Sequence, residues 1–271
     1  DRPDAGRLMT ATTITAVGST PDRSGHRWAR AFAFWLASYR RVWRGSVFEG
    51  FVSPLFFLAA MGFGLGLLVD AGPDGGMGGV SYVQFIAPGI LAAQAMNTAV
   101  GESTYPVLCG VKWFRQYHAM LATPSRIPDV VLGHLAFVLM RVAITSTAFL
   151  LVAWLLGVIG SPWSVLALPV AVLCGMAYAT PVFAFSARQD HDSGFALLFR
   201  FAIMPMFLFS GTFFPIDQLP AALQPVAWVT PLWHAVELCR ALSLGTPTVA
   251  DAVVNVGYLL LWIVGGYLLA L

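Results

Sequence analysis

Residues 80–101 read VSYVQFIAPGILAAQAMNTAVG, an apolar stretch of 22 residues without a charged side chain. A membrane-spanning helix needs about 20 mostly apolar residues to cross ~30 Å of hydrocarbon, so this stretch predicts one. The whole chain of 271 residues agrees: 58% are hydrophobic and only 10% charged, against roughly 25% charged in a soluble domain. Composition therefore excludes a soluble enzyme, a disordered chain and a secreted disulfide-rich module.

Five further apolar runs make the predicted fold an all-α integral membrane protein with six transmembrane helices. The other runs are 51–69, 130–160, 164–185, 194–216 and 252–271. An even number of spans places both termini on the same side of the membrane. We expect a polar N-terminal tail, 1–24, followed by a single transmembrane domain, 25–271.

The basic residues indicate which side holds the termini. Eight arginines precede the first run, whereas the predicted loops on the other side carry only Arg240. Lysine and arginine accumulate in the cytoplasmic segments of membrane proteins. The remaining basic loop residues lie on the same side as the N-terminus: Lys112, Arg115, Arg126 and Arg188. We therefore predict cytoplasmic N- and C-termini.

Segment 28–44 carries aromatic residues at helical three-and-four spacing, with arginines beside or after that stripe. This pattern predicts an amphipathic helix in the cytoplasmic interface of the membrane, in contact with lipids. The pattern is equally compatible with a helix that only anchors the chain at the membrane and with a helix that acts as a lever joined to the first span.

Segment 102–129 is a mixed polar and aromatic loop on the predicted cytoplasmic side. Proline residues bracket one expected short helix at about 111–122. Within it Trp113, Phe114, Tyr117 and Met120 recur at three-and-four spacing and predict an apolar ridge that docks a soluble partner. The alternatives are a solvated connector, or packing of these aromatics on the first helix of the same chain.

Segment 211–245 is too apolar for an ordinary loop, but four prolines interrupt it. Irregular backbone at membrane depth persists only when protein or a water-filled cavity surrounds it. We predict outer re-entrant or interfacial short helices between spans five and six, at about 219–226 and 231–242.

We assign no residue of the sequence to a catalytic, cofactor-binding or metal-binding role. Lys112 is the only lysine and lies outside any GxxxxGK pattern, so the chain has no phosphate-binding loop of that kind. The three cysteines and five histidines show no paired metal-ligand spacing. His191, between Asp190 and Asp192, is typical of a solvated loop.

Polar residues inside the predicted spans are candidates for function. Gln94, Asn97, Thr98 and Gly101 form one polar stripe on the second span, which either lines a pathway or joins helices. For Arg141 in the third span, we favour a side chain that extends to the membrane surface over one that contacts a substrate.

Three segments, 85–106, 122–133 and 199–242, resemble type-2 ABC export permeases, in particular the branch with the nodulation-factor and daunorubicin-resistance permeases. The resemblance implies a bacterial plasma (inner) membrane protein that pairs with a second permease copy or a homologue. It also implies two separate ABC ATPase subunits that bind ATP and Mg, docked on the loop between spans two and three. We assign the docking role to Lys112, Trp113, Phe114, Arg115, Tyr117 and His118.

The predicted function is that of a permease subunit without an ATPase site of its own, with Gln94, Asn97, Thr98, Met206 and Phe209 along the substrate pathway. Few charges line the spans, so we expect an amphipathic or lipid-like substrate: a drug, as in drug resistance, a glycolipid or a lipid. Nucleic acid is not an expected partner. The alternative is an integral-membrane lipid-modifying enzyme, and a structural scaffold is a third reading.

Overall fold

The computed structural model of the chain describes residues 27–72 and 79–271. Within these ranges every regular element is a helix, which confirms the predicted all-α class. The α-helices are α1 (Arg27–Ala60), α2 (Leu67–Asp70), α3 (Tyr82–Ser103), α4 (Tyr105–Leu108), α5 (Gln116–Leu121), α6 (Ile127–Leu155), α7 (Ala167–Ala187), α8 (Ser193–Leu198), α9 (Met204–Phe209), α10 (Gln224–Trp228), α11 (Pro231–Leu244) and α12 (Val249–Ala270). The predicted tail, 1–24, and part of the turn after the first span lie outside the described residues.

Short π-helical and 3-10 segments connect several of these helices. The π segments are Met61–Gly66, Cys109–Trp113 and Phe199–Ile203, and the 3-10 turns are Pro162–Leu166 and Ile216–Gln218. We call the end of the bundle that carries 103–126 the loop end, and the end that carries 210–248 the opposite end.

Five helical segments of the described chain are long and apolar enough to cross a membrane. They are Arg27–Asp70, Tyr82–Trp113, Ile127–Leu155, Pro162–Ala187 and Val249–Ala270. A further apolar helix, Ser193–Phe209, is about 25 Å long at 1.5 Å per residue. The predicted end of the fifth span, at 216, is wrong because the chain turns after Phe209 through Gly211, whose φ of +76° favours glycine. The total of six spans stays a prediction.

The amphipathic stretch 28–44 is not a separate helix. It is the first part of α1, which continues through a π segment to Asp70. α1 packs along α6 and approaches it closely at Gly133, where an added Cβ would lie 2.8 Å from the carbonyl oxygen of Trp28. A continuous helix is the geometry that the lever alternative requires.

α3 and α7 form the centre of the bundle. α3 packs against α6, α7 and α11, and α7 also packs against α12. Small residues permit these contacts: a Cβ on Gly175 of α7 would lie 3.1 Å from the carbonyl oxygen of Ala95 on α3. Close backbone approach at small residues is a common way for membrane helices to associate.

Segment 210–245 contains short helices, as predicted. α11 has 14 residues, about 21 Å, so it is too short to cross the ~30 Å hydrocarbon core. It is inserted between α3, α7 and α12, with Thr230 capping its start and Gly245 ending it at a φ of +77°. The other helix is α10, not 219–226, because residues 219–223 around Pro220 lie outside any helix.

Two buried polar side chains attach α11 to its neighbours. The guanidinium of Arg240 donates to the carbonyl oxygen of Gly211 at 2.6 Å and stacks 4.0 Å from the ring centroid of Phe85. His234 Nδ1 lies 2.7 Å from Asn255 Oδ1 on α12. These contacts fix the irregular segment to the bundle at the opposite end.

Candidate functional site

A polar cavity of about 410 Å³ lies between α1, α3 and α6. Three residues of the predicted pathway, Gln94, Asn97 and Thr98, line it from α3. The remaining lining residues are Ser46, Gly50, Gly101, Glu102, Pro106, Arg141 and Thr145. The cavity therefore presents amides, hydroxyls and two ionisable side chains inside a largely apolar bundle.

The two ionisable side chains form an ion pair in the cavity wall. Arg141 Nε donates to Glu102 Oε1 at 2.8 Å, and the two side chains are only 13% and 21% exposed. The Arg141 guanidinium also lies 4.9 Å from the ring centroid of Tyr39 on α1, within the range of a cation–π contact. Arg141 is thus held inside the protein, and the prediction that it extends to the membrane surface is wrong because Glu102 provides a partner.

Sequence reasoning did not single out Glu102, although a signal was present. Glu102 follows Thr98 by four residues and so continues the polar stripe of α3 by one turn. A carboxylate on that stripe and an arginine in another predicted span were a possible pair. The sequence alone did not show that α3 and α6 are neighbours.

The polar stripe of α3 both lines the cavity and joins helices. The hydroxyl oxygens of Thr98 and of Thr145 on α6 lie 3.4 Å apart, and Thr145 also donates to the carbonyl oxygen of Val142 at 3.1 Å. One helix face therefore joins α3 to α6 and lines the cavity, and its role in a pathway stays a prediction.

Met206 and Phe209 lie apart from the other predicted pathway residues. They line a second cavity of about 500 Å³, together with residues of 225–230 and with Trp262 of α12. The two cavities share no lining residue, and the walls of this one are apolar. The predicted pathway residues thus divide into a polar group and an apolar group.

Segment 102–129, which we call the docking loop after its predicted role, contains a break where one helix was expected. The π segment Cys109–Trp113 follows α4, and α5 begins at Gln116. Between them Arg115 has the left-handed backbone conformation, φ +50° and ψ +30°, which is uncommon for a residue other than glycine. The prediction of a single helix over 111–122 is therefore wrong.

The break separates exposed from buried aromatic residues of the loop. Trp113 and Phe114 are 59% and 70% exposed, whereas Tyr117 is only 6% exposed. Lys112, Arg115 and His118 are exposed as well. Five of the six predicted docking residues therefore lie on the surface, and the two large aromatic ones are adjacent.

Tyr117 faces the interior of the bundle. Its hydroxyl lies 3.0 Å from Nδ1 of His134, and its ring centroid lies 6.1 Å from that of Trp35 on α1. Burial raises the pKa of its hydroxyl. The alternative in which the loop aromatics pack on the first helix therefore holds for Tyr117, but not for Trp113 or Phe114, which are exposed.

An ion pair joins the docking loop to the turn between α7 and α8. Lys112 Nζ lies 2.6 Å from Asp190 Oδ1, with both side chains exposed. The hydrogen bond and positive charge of Lys112 lower the pKa of the Asp190 carboxyl group. The predicted solvated turn at 190–192 thus lies beside the exposed surface of the loop.

The chain is similar in sequence to one described family and to several proteins of known name. The family described as "ABC-2 type transporter" matches residues 30–244. Nodulation protein J of Rhizobium leguminosarum bv. viciae is 33% identical over 245 residues, 87% of this chain and 92% of that protein. Nodulation protein J of Rhizobium leguminosarum bv. trifolii is 35% identical over 239 residues, 85% and 88% of the two chains. That of Rhizobium meliloti (strain 1021) is 33% identical over 222 residues, 79% and 83% of the two chains.

Proposed function

The chain belongs to the ABC-2 type transporter family, and we propose that it is the membrane-spanning permease subunit of a bacterial ABC exporter. Two separate ABC ATPase subunits supply the energy from ATP and Mg, and the substrate is amphipathic or lipid-like: a drug, a glycolipid or a lipid. The observation that carries the proposal is the polar cavity between membrane-type helices.

The chemistry of the two cavities supports an amphipathic substrate. In the polar cavity Arg141 and Glu102 offset each other's charge, and the other polar side chains are neutral amides and hydroxyls. Such walls suit a neutral polar group, because they can pair hydrogen bonds without an excess charge. The apolar cavity beside Met206 and Phe209 suits a hydrocarbon portion.

A second permease copy completes the polar cavity in this proposal. Asn97 and Gly101 are exposed on the face of α3 that borders the cavity. Polar groups that face hydrocarbon cost free energy, so this open side needs water or another protein surface. We expect two copies to meet here and share one chamber.

Cross-linking tests the second copy. In a Cys109→Ser background, Asn97→Cys in native membranes is expected to form disulfide-linked dimers on mild oxidation. Val253→Cys, on the outward face of α12 and 67% exposed, is the matched control and is expected to remain monomeric. Equal cross-linking of the two variants would contradict the shared chamber.

The orientation proposal places the loop end in the cytoplasm, supported by the basic residues on that side. A membrane-impermeant maleimide added to intact cells is expected to label Gly72→Cys. It should miss His118→Cys, which is exposed at the loop end, until the membrane is opened. The reverse pattern would overturn the orientation and, with it, the docking proposal.

The exposed surface around Trp113 and Phe114 is the proposed ATPase docking site. Adjacent exposed aromatics with Lys112, Arg115 and His118 at the margin form an anchor with a polar rim. Aromatic anchors of this kind supply most of the binding energy at protein interfaces. The sequence has no phosphate-binding loop of the GxxxxGK kind, which is consistent with energy entering through this contact.

Alanine substitution tests the docking site. The permease is co-expressed with the candidate ABC ATPase subunits, and the retained ATPase is measured after purification. We expect Trp113→Ala/Phe114→Ala to weaken association by at least about thirtyfold, the loss of ~2 kcal/mol that defines a hot spot, while the permease still inserts. Trp163→Ala, at a tryptophan 54% exposed near the opposite end, is the control and should retain the ATPase. A full ATPase complement on the double variant would contradict the site.

A further inference from the structure

His134 is a fully buried polar side chain near the start of α6, and neither the polar cavity nor the docking surface includes it. Both of its ring nitrogens have partners: Nδ1 lies 3.0 Å from the Tyr117 hydroxyl, and Nε2 lies 3.0 Å from the Glu102 carbonyl oxygen. A carbonyl oxygen only accepts, so Nε2 carries the hydrogen and donates it. In the neutral ring Nδ1 then accepts from Tyr117, whose hydroxyl keeps its proton because burial raises its pKa.

Glu102 lies where the long helix that starts at Tyr82 is interrupted. α3 ends at Ser103, and Thr104 has non-helical dihedral angles, φ −98° and ψ −96°. The last carbonyl groups of a helix have no partner within it, and His134 satisfies the one on Glu102. The carboxylate of the same residue pairs with Arg141. The main-chain carbonyl of Glu102 thus accepts a hydrogen bond from His134 on the loop side, and its carboxylate pairs with Arg141 in the cavity wall.

α6 holds both partners of Glu102. His134 and Arg141 are seven residues apart, which places them two turns apart on the same helix face and separated by about 10 Å along the axis. A displacement of Glu102 relative to α6 must therefore change the hydrogen bond to His134 and the ion pair with Arg141 together.

Aromatic rings surround the link. The ring centroid of His134 lies 4.7 Å from that of Trp35 on α1 and 5.3 Å from that of Phe183 on α7. A buried hydrogen bond that loses its partner leaves an unsatisfied group that water does not compensate. The groups of the link are therefore expected to move together when the loop moves.

We propose that the chain of two hydrogen bonds from Tyr117 through His134 to Glu102 transmits movement of the docking loop to the ion pair in the polar cavity. Tyr117, His134 and Glu102 are positioning residues in this role. The inference rests on the proposed function, because the movement originates with ATPase subunits bound at Trp113 and Phe114. Tyr117 follows Phe114 by three residues, across the backbone break at Arg115.

Tyr117→Phe tests the link with the smallest change, since it removes the hydroxyl and keeps the ring. Tyr82→Phe is the matched control, at a tyrosine that is 4% exposed, against 6% for Tyr117, and lies at the far end of α3. Both are introduced into the permease–ATPase complex in lipid vesicles. The reporter is Ser46→Cys, which lines the polar cavity from α1, in a Cys109→Ser background, and its maleimide labelling rate reports access to that cavity.

Labelling is compared in the nucleotide-free complex and after trapping with ATP and vanadate. Trapping is expected to change the labelling rate by at least about fivefold, the lower end for coupled sites, in the reporter background and in Tyr82→Phe. In Tyr117→Phe the change should fall below about twofold, less than that coupling range, while ATPase association persists, because Tyr117 is buried and lies outside the exposed docking surface around Trp113 and Phe114.

The other outcomes separate the link from the proposed function. An undiminished response in Tyr117→Phe overturns the link and leaves the proposed function intact. A diminished response accompanied by loss of ATPase association assigns the hydroxyl a merely structural role and also overturns the link. Absence of any nucleotide response in the reporter background overturns the proposed function itself.

Discussion

Glu102→Gln is expected to destabilise the bundle, because it leaves the positive charge of Arg141 without its partner. The substitution keeps the size and the hydrogen-bonding shape of the side chain and removes its charge. Arg141 is 13% exposed, so water replaces the lost partner only in part. The polar cavity that both residues line admits some of that water.

The expected loss follows from the geometry of the pair. At an N–O distance of 2.8 Å the Coulomb attraction is about 6 kcal/mol with an effective dielectric constant of 20, before desolvation is subtracted. Removal of one partner of a buried ion pair costs about 3–5 kcal/mol. We expect ~3 kcal/mol for Glu102→Gln, at the lower end of that range, because water reaches the cavity.

A double-mutant cycle with Arg141→Met isolates the pair. Replacing both charged partners of a buried pair is often nearly neutral, so the double variant should be more stable than Glu102→Gln alone. The free energy of unfolding of the purified permease in mixed micelles, titrated with denaturing detergent, should give an interaction energy of about 2–4 kcal/mol. An interaction energy below ~0.5 kcal/mol, the scatter for independent sites, would refute the reasoning.

Three further substitutions have expected outcomes. Gly133→Ala should lower the free energy of unfolding by about 1–3 kcal/mol through overpacking, because the added Cβ would clash with α1. The control Gly257→Ala, whose added Cβ would have nothing within 4 Å, should not lower it. Equal effects of the two substitutions in thermal melts would contradict the close helix contact. Arg240→Met removes two hydrogen bonds to buried backbone carbonyls and should lower the free energy of unfolding by about 3 kcal/mol in the same melts. An unchanged free energy of unfolding would show that these two hydrogen bonds do not stabilise the fold. Because the folded pKa of Asp190 is lowered by Lys112, the ion pair is fully present above the unfolded pKa of about 3.9 and is lost as the pH falls through the folded value. Asp190→Asn should therefore speed proteolysis of the docking loop at neutral pH, and the difference from wild type should vanish at low pH; a difference that does not depend on pH would contradict this.

The all-α membrane class and the approximate positions of the helices followed from the sequence by itself. An apolar run of about 20 residues has to be helical in a membrane, because only a helix or a closed barrel satisfies its backbone groups. Prolines identified 210–245 as a segment of short helices for an equally local reason. The polar stripe of Gln94, Asn97 and Thr98 was readable because helical periodicity alone places these residues on one face.

Helix ends and breaks were less accessible to sequence reasoning. The break at Arg115 depends on an unusual backbone conformation that the residue type does not announce. The sequence also left open whether 28–44 is a plain anchor or is joined to the first span, whereas α1 is one continuous helix from Arg27 to Ala60. Local patterns do not fix these points, because the contacts of α1 with α6 stabilise a longer helix than its own sequence indicates.

Only the tertiary structure decided which side chains pair with one another. Arg141 has one environment if its helix faces lipid and another if it faces Glu102, which lies 39 residues away along the chain. Tyr117 shares its spacing pattern with Trp113 and Phe114, yet it is buried against His134 while they are exposed. Helical periodicity predicts which side chains share a helix face. Long-range contacts determine which other helix packs on that face. Those contacts therefore decide which polar groups are paired and which remain available to a ligand or a partner.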